Sequence, residues 1–179
     1  MKNKIIALTL LLLTACYTEP QFKKTEYQHF GISKFPAVIV TVDSRNACLN
    51  QPGCNYTNKF INELVATEAF HNVDINNPAA KYRIRINFRA SDINTDSLYS
   101  RTSGIVPSDV KQNFGAEFVI EDENRIVYTY EAQTTGVKTA HAFMRDSRDT
   151  MLNESITTMV SSFVANIQQN NVLPVSEGY

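Results

Sequence analysis

The chain has 179 residues, 43% of them hydrophobic and 20% charged, with a formal net charge of −1 at neutral pH. That length supports one domain with a proper hydrophobic core and is short for two. With no basic excess, the composition gives no support for a nucleic-acid partner, whose phosphates call for a basic field.

The first segment is a leader. Lys2 and Lys4 make a positive start, Ile5 to Leu13 an apolar run, and Leu13-Thr14-Ala15-Cys16 ends it with small residues before a thiol. The run falls well short of the ~20 apolar residues that a membrane-spanning helix needs, so Cys16 reads as a processing site. The pattern resembles a bacterial lipoprotein signal, the lipobox. The resemblance implies diacylglyceryl transfer to the Cys16 thiol, cleavage between Ala15 and Cys16, and acylation of the new amino terminus. Two or more acyl chains hold a protein stably on a bilayer, whereas one does so only reversibly. Tyr17 stands where an aspartate would imply retention at the inner membrane, so the resemblance implies a lipid anchor in the periplasmic leaflet of the outer membrane. An ordinary secretory leader with an incidental Cys16 is the competing reading. The chain then divides into a signal peptide (1–15), a lipidated N-terminus and tether (16–35), a single α/β domain (36–170) and a flexible tail (171–179).

Residues 17–30 are polar with scattered aromatics and no period, and extended they reach roughly 45 Å. His29, alone among them, reads as an exposed incidental histidine. Pro36 precedes a strand from Ala37 to Asp43 with apolar residues on both faces, as in a sheet interior. Cys48 and Cys54 follow, in Cys-Leu-Asn-Gln-Pro-Gly-Cys. In an oxidising envelope they read as a disulfide closed over a Pro52-Gly53 turn, a local staple worth roughly 2 kcal/mol. A redox pair would want Cys-x-x-Cys at a helix start, and a metal site would need further ligands.

Thr57 or Asn58 caps a helix expected to run to about Phe70, with Phe60, Ile61, Leu64, Val65 and Ala69 on its apolar stripe. Asn72, Asn76, Asn77 and Pro78 then form a loop. From Tyr82 to Ala90 the chain alternates strictly: Tyr82, Ile84, Ile86 and Phe88 against Arg83, Arg85, Asn87 and Arg89. This is the period of a strand with one buried and one wet face. Residues 91–113 make a long connection, with an optional strand near Leu98–Thr102 and a turn at Gly104–Pro107; long loops often carry partner contacts. Asp92, Asn94 and Asp96 match the first ligands of a calcium loop, but Ser97 and Ser103 replace its glycine and glutamate, and Asx turns explain the same residues.

A second alternating strand spans Phe114–Glu121 and a third Arg125–Thr134, the latter with Ile126, Tyr128, Tyr130 and Ala132 inward. They form a hairpin whose loop should exceed two residues, since no Asn-Gly or Asp-Gly pair is present. Gly136 should break the last strand. His141 stands near Asp146 and Asp149 without a nucleophile at any recognisable spacing. A final helix from about Arg148 to Gln169 carries Leu152, Ile156, Met159, Val160, Phe163, Val164 and Ile167 as its stripe, after which the chain should fray.

These elements make an α/β (α+β) two-layer sandwich: a mostly antiparallel or mixed sheet of four to five strands, with two helices packed on one face. Over roughly 36–169 the chain resembles small bacterial envelope lipoproteins built on such a domain, including the LPS-assembly lipoproteins and the amino-terminal domains of Tol-system propeller proteins. The resemblance rests on the lipobox, Tyr82-Arg-Ile-Arg-Ile-Asn-Phe as central strand, the Phe118–Tyr130 hairpin and the long last helix. It implies a non-catalytic assembly, scaffold or interaction component, bound to the bilayer through acylated Cys16 and to another envelope protein. The alternative is a carrier or sensor for a lipid or glycan ligand, which needs a cavity between helices and sheet. No nucleophile elbow, helix-borne zinc pair or P-loop is present, so no enzymatic activity, cofactor or metal is expected. Paired carboxylates converging from two strands are the one hydrolytic arrangement the sequence leaves open. The candidate partner surface is Arg83, Arg85 and Arg89. It reads either as cross-strand partners of Glu117, Glu121 and Glu131, or as a docking face for an acidic partner or anionic glycolipid.

Overall fold

In a computed structural model of the chain, the described residues are 33–43, 56–91, 94–95, 108–140 and 147–177. In chain order they form β1 (Ser33–Lys34), β2 (Val38–Asp43), α1 (Tyr56–Ala66), β3 (Val73–Asp74), β4 (Tyr82–Ala90), β5 (Asn94–Thr95), β6 (Ser108–Asp122), β7 (Arg125–Ala140), α2 (Ser147–Gln169) and β8 (Ser176–Glu177). Cys16, Cys48, Cys54, the Leu98–Thr102 stretch and His141 lie outside the described residues.

Strand β4 sits at the middle of the sheet because its alternation gives it one apolar face and a ladder on both edges. It pairs parallel with β2 and antiparallel with β6. Val40, Ile84 and Ile120 stand side by side in this register and are fully buried. Strand β3 pairs outside β2, and β7 pairs antiparallel outside β6. Strand β5 pairs with β6 beyond the end of β4, so the six-stranded sheet is only five strands wide.

Both helices cover the same face. Phe60 and Leu64 of α1 are buried, and the Phe60 ring meets the edges of Phe88 and Phe118 at 5.4 and 6.1 Å between centroids. From α2, Phe163 stacks on Phe118 at 4.4 Å with the planes 8° apart. The space between helices and sheet, where a carried ligand would sit, is filled among the described residues by these rings and by Ile86, Ile156 and Met159. Two-layer packing of this kind is what the periodicities predict.

Helix α1 stops at Ala66, short of the expected Phe70. The Thr67 hydroxyl donates to the Leu64 carbonyl at 2.6 Å, and Glu68 takes the left-handed conformation at φ 54°, so the chain turns back. A Thr hydroxyl bonded to a nearby carbonyl offers the backbone an alternative to the helix. Ala69 and Phe70 stay buried through a different route: Phe35 N–H donates to Ala69 O at 2.8 Å and Phe70 bridges Phe35.

The β6–β7 hairpin corrects two expectations. Asp122 pairs with Arg125, leaving the two-residue loop Glu123-Asn124, with φ of 47° and 69°. Positive φ at both positions is the type I′ geometry that suits the twist of a hairpin, formed here without glycine. Ile126, expected inward, is 62% exposed. The reason is a bulge: Glu121 pairs with Ile126 and Ile120 with Tyr128, so Val127 is the extra residue and both apolar side chains turn outward. A glutamate at positive φ carries steric strain, so replacing Glu123-Asn124 by Asn-Gly is expected to stabilise the fold by about 1 kcal/mol. A rise in the urea midpoint with unchanged slope is the check, and an unmoved midpoint would refute the strain.

Strand β7 also continues through Gly136 to Ala140 instead of breaking. Beyond α2 the chain keeps its structure. Asn171, at φ 49°, donates to Gln168 O at 3.2 Å and Val172 N–H to Ile167 O at 3.1 Å. That pair of bonds is a Schellman C-cap. It aims Leu173 into the core, where it is buried, and brings β8 antiparallel to β1. Regular structure thus extends past both the 36 and the 170 bounds read from the sequence.

Candidate docking surface

With both helices on one face, no described helix or strand covers the other face of the sheet. The odd-numbered residues of β4 project from it: Arg83, Arg85 and Arg89 are exposed and Asn87 is half-buried. Beside them on β6 the same face carries Glu121, Val119, Glu117 and Gly115, in register with Arg83, Arg85, Asn87 and Arg89 respectively. On β7, Thr129 lies beside Val119 and Glu131 beside Glu117.

The charges do not pair straight across. Arg85 Nη2 reaches diagonally to Glu121 Oε1 at 3.1 Å. Glu117 Oε2 accepts from Asn87 Nδ2 at 2.6 Å, which leaves no arginine on the glutamate that faces Glu131. Arg83 and Arg89, at the two ends of the stripe, make no ion pair among the described residues. Among the described residues both are therefore without an ionic partner, and their backbone positions lie about 20 Å apart, six residues of strand. Val119, although on this face, is only 3% exposed.

Gly115 opens a shallow hollow in the face, lined by Asn87, Arg89, Glu117, Glu131 and Gln133. A Cβ built on Gly115 would meet nothing nearer than Ala132 O at 3.9 Å, so the missing side chain leaves room that packing does not require. At one end of the face lies a cleft of about 450 Å³, between Pro78–Arg83 on one side and Glu121, Glu123 and Asn124 on the other, with Ile39 in its floor. Lys81 stands at its rim, 3.1 Å from Asp122 Oδ2 and over the Tyr82 ring at 5.3 Å. The hydrogen bond and charge of Asp122 raise the Lys81 ammonium above the ordinary lysine range, so it stays cationic at all physiological pH. Among the described residues no three His, Cys, Asp or Glu side chains come together as metal ligands. Asn94, one of the calcium-loop residues, belongs to β5.

The outward position of the three arginines follows directly from the period of β4. Asn87, Gly115 and the cleft at Lys81 escaped that reading. Asn87 stood in the same alternation, and its place between two arginines was the available signal. The hollow and the cleft depend on neighbouring strands and have no local signature.

No family model matches the chain, and no curated protein matches it. Solved structures resemble it in outline. The chain is similar to a minor lipoprotein from Acinetobacter baumannii at 12% identity, over 79% of this chain and 98% of that one, with a TM-score of 0.48. It is similar to an uncharacterized lipoprotein B from Nitrosomonas europaea at 10% identity, over 87% and 93% of the two chains, with a TM-score of 0.49. It is also similar to the rare lipoprotein B from Shewanella oneidensis at 12% identity, over 75% and 92%, with a TM-score of 0.41.

Proposed function

We propose that this chain is a non-catalytic lipoprotein of the bacterial envelope, anchored in the periplasmic leaflet of the outer membrane through acylated Cys16, that docks another envelope protein on the open face of its sheet. The observation that carries the docking reading is the pair of unpaired guanidinium groups, Arg83 and Arg89, held on the central strand. A rigid strand preorganises them, and a guanidinium binds carboxylates or other oxyanions bidentately. The partner surface that fits presents acidic groups about 20 Å apart, with a basic or amide group between them to meet Glu117 and Glu131. In the same reading Cys48 and Cys54 form a disulfide, in keeping with an oxidising compartment.

The test replaces Arg83, Arg85 and Arg89 together by glutamine. All three are exposed, and the Arg85–Glu121 pair, half open to water, contributes at most about 1 kcal/mol. Circular dichroism should stay near wild type while in-cell crosslinking to the partner is lost. Intact crosslinking in the folded triple variant would overturn the docking role and leave the arginines as cross-strand charge partners.

A further inference from the structure

The two ends of the sheet are chemically unlike. Strands β2 and β4 start, and β6 finishes, at one end, where Val38, Tyr82, Asp122 and Arg125 line up in register. Both helices finish there too. Tyr56, at the start of α1, lies tilted against Phe88 at the far end of β4, whereas Ala69 and Phe70 just after α1 meet Phe35. Near the finish of α2, the Tyr128 hydroxyl bonds Asn166. Strands β1 and β8 pair at this same end.

Every large hydrophobic side chain that is exposed among the described residues belongs to this end: Val65, Ile75, Ile126, Val127 and Val175, each 46–62% exposed. Val65 is in the last turn of α1, Ile75 follows β3, Ile126 and Val127 are turned out by the bulge, and Val175 precedes β8. Scattered single hydrophobics are ordinary on a surface, but their gathering at one end is not. The chain that carries Cys16 enters the domain at this end, through Ser33. Residues 17–32 extended span at most roughly 55 Å, so an anchored domain keeps this end within reach of the bilayer.

We infer that this end of the domain is a second membrane contact, seating Ile126, Val127 and their neighbours at the headgroup level of the bilayer that holds the lipid anchor. The inference rests on the acylated Cys16 of the proposed function. The charges nearby are mixed, Lys81, Arg83 and Arg125 against Glu68, Asp74, Glu121, Asp122 and Glu123, so attraction to anionic lipid is weak and the apolar side chains supply the contact. Seating would also orient the sheet upright, with Arg83, in the row of Ile126, at the membrane surface and Arg89 and the Gly115 hollow farther out, so the partner docked on the open face is one that reaches the bilayer surface.

The chain contains no tryptophan, so one introduced tryptophan reports its own position. Full-length acylated Val127→Trp and Thr135→Trp variants, which differ by about 27 Å along β7, are reconstituted on phosphatidylethanolamine–phosphatidylglycerol vesicles whose acyl chains carry bromine. The expected result is a blue shift and strong quenching for the V127W protein and neither for the T135W protein, because interfacial side chains penetrate only about 5–10 Å. Ile126→Trp serves in place of V127W should that variant lose its circular dichroism. Vesicle-bound protein with no quenching, or with equal quenching at both positions, overturns the seating while leaving the anchor intact. A blue shift without bromine quenching shows burial against protein, and also overturns it. Failure of the protein to float with the vesicles overturns the anchor and the seating together.

Discussion

Replacing Phe163 by alanine is expected to cost about 3–5 kcal/mol, the range for truncating a fully buried aromatic side chain. Phe163 is the ring through which α2 rests on the sheet: it is fully buried, stacked at 4.4 Å on Phe118 and tilted 6.3 Å from Tyr130. Its neighbours on α2, Met159, Val160 and Ile167, are buried in their own contacts and cannot collapse into the space without moving the helix. Domains of this size are stable by about 5–15 kcal/mol in total, so the substitution removes a large share and should lower the melting temperature by on the order of 10 °C. Urea denaturation with an unchanged slope is the measurement. Phe163→Leu, which keeps most of the volume, should cost clearly less. A loss below about 1 kcal/mol for Phe163→Ala would mean that the helix does not depend on this stack.

The elements whose physics is local could be read from the chain, and those set by neighbours could not. Strand β4 was legible because four apolar residues alternate with four polar ones, and α2 because its stripe repeats over about four turns. The first half of β6 was not, because a polar residue occupies an inward position: Gln112 is only 4% exposed, and its Nε2 is satisfied by the Ser91 carbonyl at 2.9 Å. That contact lies outside the strand, so the alternation looked broken. The Schellman cap after α2 left a trace in Asn171 followed by Val172 and Pro174, a C-terminal pattern overlooked in favour of fraying. At the candidate site, exposure of the arginines followed from the period alone. Which of them would be paired did not, because Glu121 faces Arg83 in the ladder yet binds Arg85, and Glu117 is taken by an asparagine.

Gly136 is the sharpest case of a neighbour overriding local preference, and it sets the second large effect. The residue sits inside β7 with no left-handed φ, so the position needs glycine for space and not for conformational freedom. A Cβ there would lie 3.2 Å from Met151 Cβ, 3.2 Å from Phe114 Cε2 and 3.4 Å from Met151 Cγ. Glycine lets the first turns of α2 close onto β7, and the strand bears the entropic cost of roughly 0.5–1 kcal/mol that an interior glycine carries. For Gly136→Ala that regained entropy offsets most of the crowding. Gly136→Val adds two more methyl groups against Met151 and Phe114 and is expected to destabilise by about 1–3 kcal/mol. The origin of the loss is tested by Met151→Ala, which alone opens a cavity costing about 2–5 kcal/mol but also makes room for the added side chain. The double variant should therefore be less destabilised than the sum of the two single ones by about 1 kcal/mol or more, the coupling expected of side chains in contact. Four urea titrations, on wild type, G136V, M151A and the double variant, measure it. Strict additivity would show that Gly136 is required for something other than the seat of α2, and the close packing of that helix on the edge strand would then have to come from other residues.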